Sequence, residues 1–298
     1  MATKTAGKLG LKNESHLSSV EIDKHRILSV TDPSVVLTVA PTTADWSGGI
    51  PDSVLGMLGN SEYSNCGPAG DEHGRMFKGF MSITNGVVKW EPGFRPPHEP
   101  YTLWLYVQYL KLQGETLAQD PGVENSSWLL FMYNLTKTNP GTDTLAFAEW
   151  PLSTDPNQML LDAIAMRGML TAVALDAQYA TEFQDDEPFG TLSTVPDQQY
   201  GHDMWWSGFR PGFKKYCTWS TNHDATDPWD ANCVLERWGT LTEEDAKRIG
   251  VNWASLTTEL DKETDAHPFL SRVDFSKFTK ESYLQKAELF LSDLRKHI

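Results

Sequence analysis

Cysteine is scarce in this chain: Cys66, Cys217 and Cys233 are the only three among 298 residues. So low and odd a count excludes a disulfide framework. It fits a reducing compartment, with room for one special thiol among inert ones. Basic charge is also short, with 25 Lys and Arg against 40 Asp and Glu for a net charge of −15. That balance argues against a nucleic-acid partner, whose phosphates need a basic face, and against an anionic membrane surface. Long apolar runs are missing too: no stretch approaches the roughly eighteen residues that span a bilayer. The opening MATKTAGKLGLKNESH lacks the apolar centre of a secretory signal. The expectation is a cytoplasmic protein at synthesis, one that leaves a cell only by lysis or inside a particle.

What is present is ordinary globular material, 40% hydrophobic and 22% charged, with no repeat and no low-complexity tract. Eleven Trp are the exception, and Trp favours cores, interfaces and grooves. β-branched residues at 26–30 and 35–39 predict two short strands about Asp32-Pro33. Residues 41–65 are broken by Pro and Gly, and a helix is expected to start at Cys66. Further helices are expected over Tyr101–Leu112 and Ser126–Lys137. Asp155-Pro156 caps another, which stops at Gly168 before a buried strand, 169–175. Strands follow at 202–209, 215–220 and 233–238, then a helix opened by Thr242 and a last one over 280–298. The layout is α+β, with helices, an antiparallel sheet and a helical tail.

The chemistry concentrates in Gly59-Asn60-Ser61-Glu62-Tyr63-Ser64-Asn65-Cys66-Gly67-Pro68-Ala69. A thiol at a helix start meets unpaired backbone amides and the positive end of the helix dipole, which favour the nucleophilic thiolate. Asn60 offers a side-chain amide toward an oxyanion, beside the amide of Cys66. The base must come from elsewhere in the fold, and His202, in Gly201-His202-Asp203-Met204-Trp205-Trp206, is the best placed.

Asn-Cys-Gly-Pro-Ala at a helix start, a helix-then-strand unit and a later Gly-His before an apolar strand resemble the papain-like cysteine peptidase superfamily, on its bacteriocin-processing peptidase branch. More narrowly, Gly59 to Cys66 with His73 seven residues on, Asp120-Pro121-Gly122-Val123 and Trp238-Gly239-Thr240-Leu241-Thr242 resemble uncharacterised papain-like proteins of phages and actinobacteria. The resemblance implies a papain-like α+β fold over 42–261, with extensions 1–41 and 262–298. It implies Cys66 as nucleophile, His202 as base and a third residue orienting the imidazole. If Trp238-Gly239 is the family's Trp-Gly element, that third residue is Glu236. If Thr218-Trp219-Ser220 is the element, it is Cys217, with Asn222 and Asp224 nearby. The chain departs from the family at Ser64-Asn65 before the Cys and in the bulky Asp203-Met204-Trp205-Trp206 after the His.

Other features read as structural. His73 fits a packed helix position, and Cys217 and Cys233 lack the further ligands of a zinc site. His223 adds little to such a site, and no metal or cofactor is expected. The sequons Asn125-Ser126-Ser127 and Asn134-Leu135-Thr136 read as chance matches without a signal peptide. Trp205, Trp206 and Trp219 read as core before carbohydrate platform. Two functions stand against each other. One is a cysteine hydrolase, a peptidase or amidase on a peptide or amide substrate. The other is a non-catalytic structural or decoration protein of a phage particle, whose partners are virion subunits or its own copies.

Overall fold

The computed structural model describes residues 39–278, apart from 93, 95, 139–143, 153, 176–177 and 191–200. The strand expected at 26–30, most of that at 35–39 and the helix expected at 280–298 lie outside these residues. Nine strands and nine α-helices are described: β1 (Ala44–Asp45), α1 (Asp52–Leu55), α2 (Cys66–Gly79), β2 (Phe80–Thr84), β3 (Val87–Trp90), α3 (Glu99–Leu112), α4 (Asn125–Thr138), β4 (Ala146–Glu149), α5 (Pro156–Met166), β5 (Met169–Ala174), α6 (Tyr179–Asp185), β6 (Gly201–Arg210), β7 (Phe213–Thr218), β8 (Thr221–Thr226), α7 (Asp227–Cys233), β9 (Val234–Leu241), α8 (Glu243–Ile249) and α9 (Trp253–Ala266).

Seven strands make one antiparallel sheet in the order β4-β9-β5-β6-β7-β8, with β1 added beside the end of β6. Its central strand β5 is buried along its whole length, as an inner strand of aliphatic and small residues must be. Helix α2 lies across β6 and β5, and close approach is possible because its contact face is glycine. A Cβ at Gly70 would sit 2.8 Å from Leu170, and one at Gly74 would sit 2.4 Å from the Trp205 ring. α3, α4 and α9 cover the same side. On the other side α5 packs on β9, where Trp150 and Met166 close over Gly239. α6 and α7 cover β7 and β8 there through Phe183, Trp219, Trp229 and Tyr216. The aromatic residues that the composition singled out fill these two seams: Trp128, Trp150, Trp205, Trp206 and Trp229 are fully buried.

The α+β expectation holds, with β5 where the buried strand at 169–175 was expected and one sheet strand, β4, earlier in the chain than that. The α5–β5 unit follows its local signals. Asp155 accepts from the Gln158 amide at 3.0 Å, Pro156 is the first helical residue, and Arg167 and Gly168 leave the helix with φ of 56° and 111°. The strand expected to reach Ser220 stops at Thr218, because Trp219 and Ser220 form the β7–β8 turn at φ 43° and 68°. Also not foreseen were β1, α1, the β2–β3 hairpin, α6, β8 and α7. α9 runs on through residue 261, the point at which the sequence reading ended the papain-like unit.

Candidate active site

Cys66 is the first residue of α2, as expected, and is 1% exposed. The loop before it is a set of tight turns. The amides of Glu62 and Tyr63 donate to the Gly59 carbonyl, and the Asn65 side-chain amide donates to the Leu58 carbonyl at 2.9 Å. Gly59 has φ 92°, and a Cβ there would lie 2.4 Å from Leu103. Asp120 ties the loop from outside. Its carboxylate accepts from the Ser64 amide at 2.8 Å and from the Tyr106 hydroxyl at 3.2 Å. The Tyr106 oxygen in turn accepts from the Gly122 amide at 3.1 Å. Burial and the Asp120 carboxylate raise the Tyr106 hydroxyl well above the usual phenol value.

The thiol of Cys66 donates to Asp203 Oδ2 at 3.6 Å. Asp203 lies on β6 directly after His202, and neighbouring side chains on a strand point to opposite faces. The register with β5, Ala172 opposite Asp203 and Val173 opposite His202, aims the carboxylate at α2 and the imidazole away from it. The His202 ring stacks on Trp219 with centroids 4.5 Å apart, and its Nε2 lies 2.7 Å from Thr218 Oγ1. Its Nδ1 is buried without a partner. Burial holds this imidazole neutral, with a pKa down to about 3.

Asp203, Ala172 and Glu236 line up across β6, β5 and β9 on the α2 side, so Glu236 does reach the site. The bridge between the two carboxyls is Asn125, the first residue of α4. Its Nδ2 donates to Asp203 Oδ1 at 2.7 Å and to Glu236 Oε1 at 3.2 Å. Burial pushes Asp203 up to about 7, against the hydrogen bond from Asn125 and with repulsion from Glu236. Burial likewise pushes Glu236 up to about 7, with Glu124 and Glu149 adding to it. Glu124 caps α4, accepting from the Ser126 and Ser127 amides at 3.2 and 2.8 Å.

Of the four residues singled out from the sequence, the structure brings Cys66 and Glu236 to one site and turns His202 to the other face of the sheet. Asn60 is buried in the preceding turns, where its side-chain amide donates to the Tyr63 carbonyl at 3.1 Å. His73 binds the Gly56 carbonyl through Nε2 at 3.0 Å and is held neutral by burial, with a pKa down to about 4. Cys217 is fully buried, and burial raises its thiol well above the usual value. Among the described residues no group of His, Cys, Asp and Glu is arranged to hold a metal ion, and no helix is long and apolar enough to cross a membrane. Asn125 and Asn134, the two sequon asparagines, are buried within α4.

Two residues at the thiol were missed. Asp203 was visible as the strand neighbour of His202, and only the pairing register of β6 decides which of the two meets Cys66. The sequence around Asn125 carries only the sequon as a local signal, and no local pattern marks it as a bridge between β6 and β9.

No family model and no curated protein matches this chain. Among solved structures, xylellain, a cysteine protease from Xylella fastidiosa, is similar with a TM-score of 0.52. The match covers 81% of this chain and 98% of that chain at 11% identity. At that identity the likeness is one of fold, and it is the likeness expected from a thiol at the start of a helix packed on an antiparallel sheet. The fold of this chain is that of a papain-like cysteine protease.

Proposed function

We propose that this chain uses a papain-like fold without the cysteine–imidazole chemistry, as a binding or assembly subunit, and that the assembly is the phage particle to which the sequence resemblance points. The observation that carries this reading is the register of β6, which gives Cys66 a carboxyl neighbour, Asp203, and directs His202 to the Trp219 side. A thiolate is made nucleophilic by a neighbouring cation such as imidazolium, and a carboxylate supplies no positive charge. Closure of the site supports the same reading, since Cys66 and Asp203 are 1% and 2% exposed and an acyl substrate needs access to sulfur.

A second reading, a peptidase or amidase in which Asp203 takes the thiol proton, is favoured by the 3.6 Å contact between Cys66 Sγ and Asp203 Oδ2. Here the thiolate attacks the carbonyl of a peptide-like substrate, the amides at the start of α2 hold the oxyanion, and the protonated Asp203 donates to the leaving amine. Iodoacetamide labelling near neutral pH separates the two. The assembly reading expects Cys66 in the native chain to label at least about tenfold more slowly than in the unfolded chain, as an inert buried thiol does. Labelling of native Cys66 faster than in the unfolded chain, together with peptide-amide cleavage that Cys66→Ala abolishes, would establish the hydrolase instead.

A further inference from the structure

Three of the six large apolar side chains that stand exposed among the described residues lie in the β2–β3 hairpin: Met81 at 58%, Ile83 at 38% and Val87 at 55%. The hairpin is a sheet of its own, and among the described residues no strand takes the other edge of β2. Two strands alone are marginal in water and need a third strand or a packed face. At the base that need is met. Phe80 seats on Gly48, where a Cβ would stand 2.0 Å from its ring, and Trp90 meets Phe80 edge-on with centroids 6.4 Å apart. Arg167 Nη1 donates to the Phe80 carbonyl at 3.2 Å. Beyond this fixed base Met81, Ser82, Ile83 and Thr84 are all exposed. The two edges differ. β3 carries Lys89, a charge of the kind that blunts an edge, whereas β2 has neither charge nor proline. Pairs alternate in bonding from Thr84–Val87, which closes the turn, so the Ile83 amide and carbonyl point out of the hairpin.

We propose that β2 pairs with β2 of a second copy of this chain, antiparallel about a twofold axis at Ser82, to make one four-stranded sheet. Alternation puts Met81 and Ile83 on one face of the strand. With the axis at Ser82, Met81 of each copy lies opposite Ile83 of the other. Val88 stands beside Ile83, and Trp90 beside the irregular step at Met81, so an apolar row runs unbroken across both copies on that face. Charge selects this occupant. A chain of net charge −15 repels its own copies wherever acidic surfaces meet, but residues 80–90 hold no acid and one base. The two Lys89 side chains stand on the outer strands, about 14 Å apart at roughly 4.8 Å per strand, beyond the Debye length of about 8 Å. A basic partner finds no acid to bind here, and an acidic one finds Lys89 alone. A second β2 finds a neutral strand of its own length and pattern.

The test is sedimentation velocity of the full chain over about 1–200 μM, the range in which so small a pairing shows itself. The wild type is expected to shift from one chain mass to two as concentration rises. Ile83→Lys, which sets a charge on the open edge, is expected to weaken the association at least about tenfold. Leu152→Lys, at an exposed apolar site elsewhere, is expected to leave it unchanged. Ser82→Cys, close to isosteric, is expected to form a disulfide-linked dimer under a mild oxidant such as diamide, since facing Cβ atoms on paired strands lie about 4.5–5.5 Å apart. Leu152→Cys is expected to stay unlinked. One chain mass at every concentration, a dimer that Ile83→Lys leaves intact, or Ser82→Cys linking no faster than Leu152→Cys overturns the proposal. So does protection of the Ile83 amide from hydrogen exchange in the single chain, which would put another segment of the chain on this edge. The surface deepens the assembly reading, and the two fail separately: labelling decides the role of Cys66, and a monomer with an inert Cys66 overturns the surface alone.

Discussion

Gly74 shows how far single positions govern the papain-like packing here. With no Cβ, it lets α2 rest on the Trp205 ring, and a methyl placed there would stand 2.4 Å from ring carbons. Gly74→Ala is expected to lower stability by about 1–3 kcal/mol through overpacking, measured as a reduced urea midpoint. Gly114→Ala meets nothing within 4 Å but has φ 78°, so its cost is one of backbone strain alone, about 1 kcal/mol. The residue scale is also where sequence reading reached its limit at the site. The thiol at a helix start and its amide-rich setting are local, so Cys66 was legible. The side of a strand that faces a helix is not local. His202 and Asp203 exchange roles if β6 slips by one residue, and nothing within Gly201–Phe209 states the slip.

Two termini of different helices share one side chain at the element scale. Arg167, at the end of α5, sends Nη1 to the carbonyls of Phe77, Lys78 and Phe80 at 3.3, 2.7 and 3.2 Å, so it caps α2 from outside. Arg167→Ala is expected to cost about 1–2 kcal/mol, toward the low end for hydrogen bonds to a charged group because the guanidinium is exposed and solvent competes for it. Amide exchange should rise in the last turn of α2 more than in α5. Likewise α8 opens with a reciprocal box between Thr242 and Asp245, and Thr242→Ala is expected to cost about 1 kcal/mol by thermal melt. Elements with such punctuation, α5 and α8, were readable from sequence. The β2–β3 hairpin carries a signal in its sequence, Asn85-Gly86 with φ 52° and 74°, the pair that a type I′ turn prefers. β8 carried less. Its inward residues are Thr221, His223 and Ala225, and an edge strand that buries polar and small side chains does not read as alternating hydrophobicity.

Buried ionisable groups of opposite type give the whole molecule a preferred pH. Glu72, Asp203 and Glu236 are pushed up to about 7 by burial. The stability tied to them is present below their unfolded values, about 4, and is lost as pH climbs through 7. His73 and His202 are pushed down to about 4 and about 3. Stability tied to these is present above the unfolded value of about 6.5 and is lost as pH falls toward 4 and 3. Between about pH 4.5 and 6.5 the two histidines offset most of the loss from the three carboxyls, so stability changes little there, and above 6.5 the carboxyls act alone. Scanning calorimetry is expected to give a higher Tm at pH 6 than at pH 8. A Tm still rising from pH 6 to 8 would contradict this assignment of the buried carboxyls.

The strand order β4-β9-β5 also bears on the birth of the protein. On a ribosome, β4 and β5 emerge as neighbours in time but not in space, for the strand that belongs between them is the last of the sheet to be made. β5 can zip onto β6 once that strand is out, yet its other edge and the whole of β4 stay open until Val234–Leu241 appears. A nascent chain halted before Val234 therefore displays two unsatisfied strand edges at once, and these are natural targets for chaperones and for aggregation.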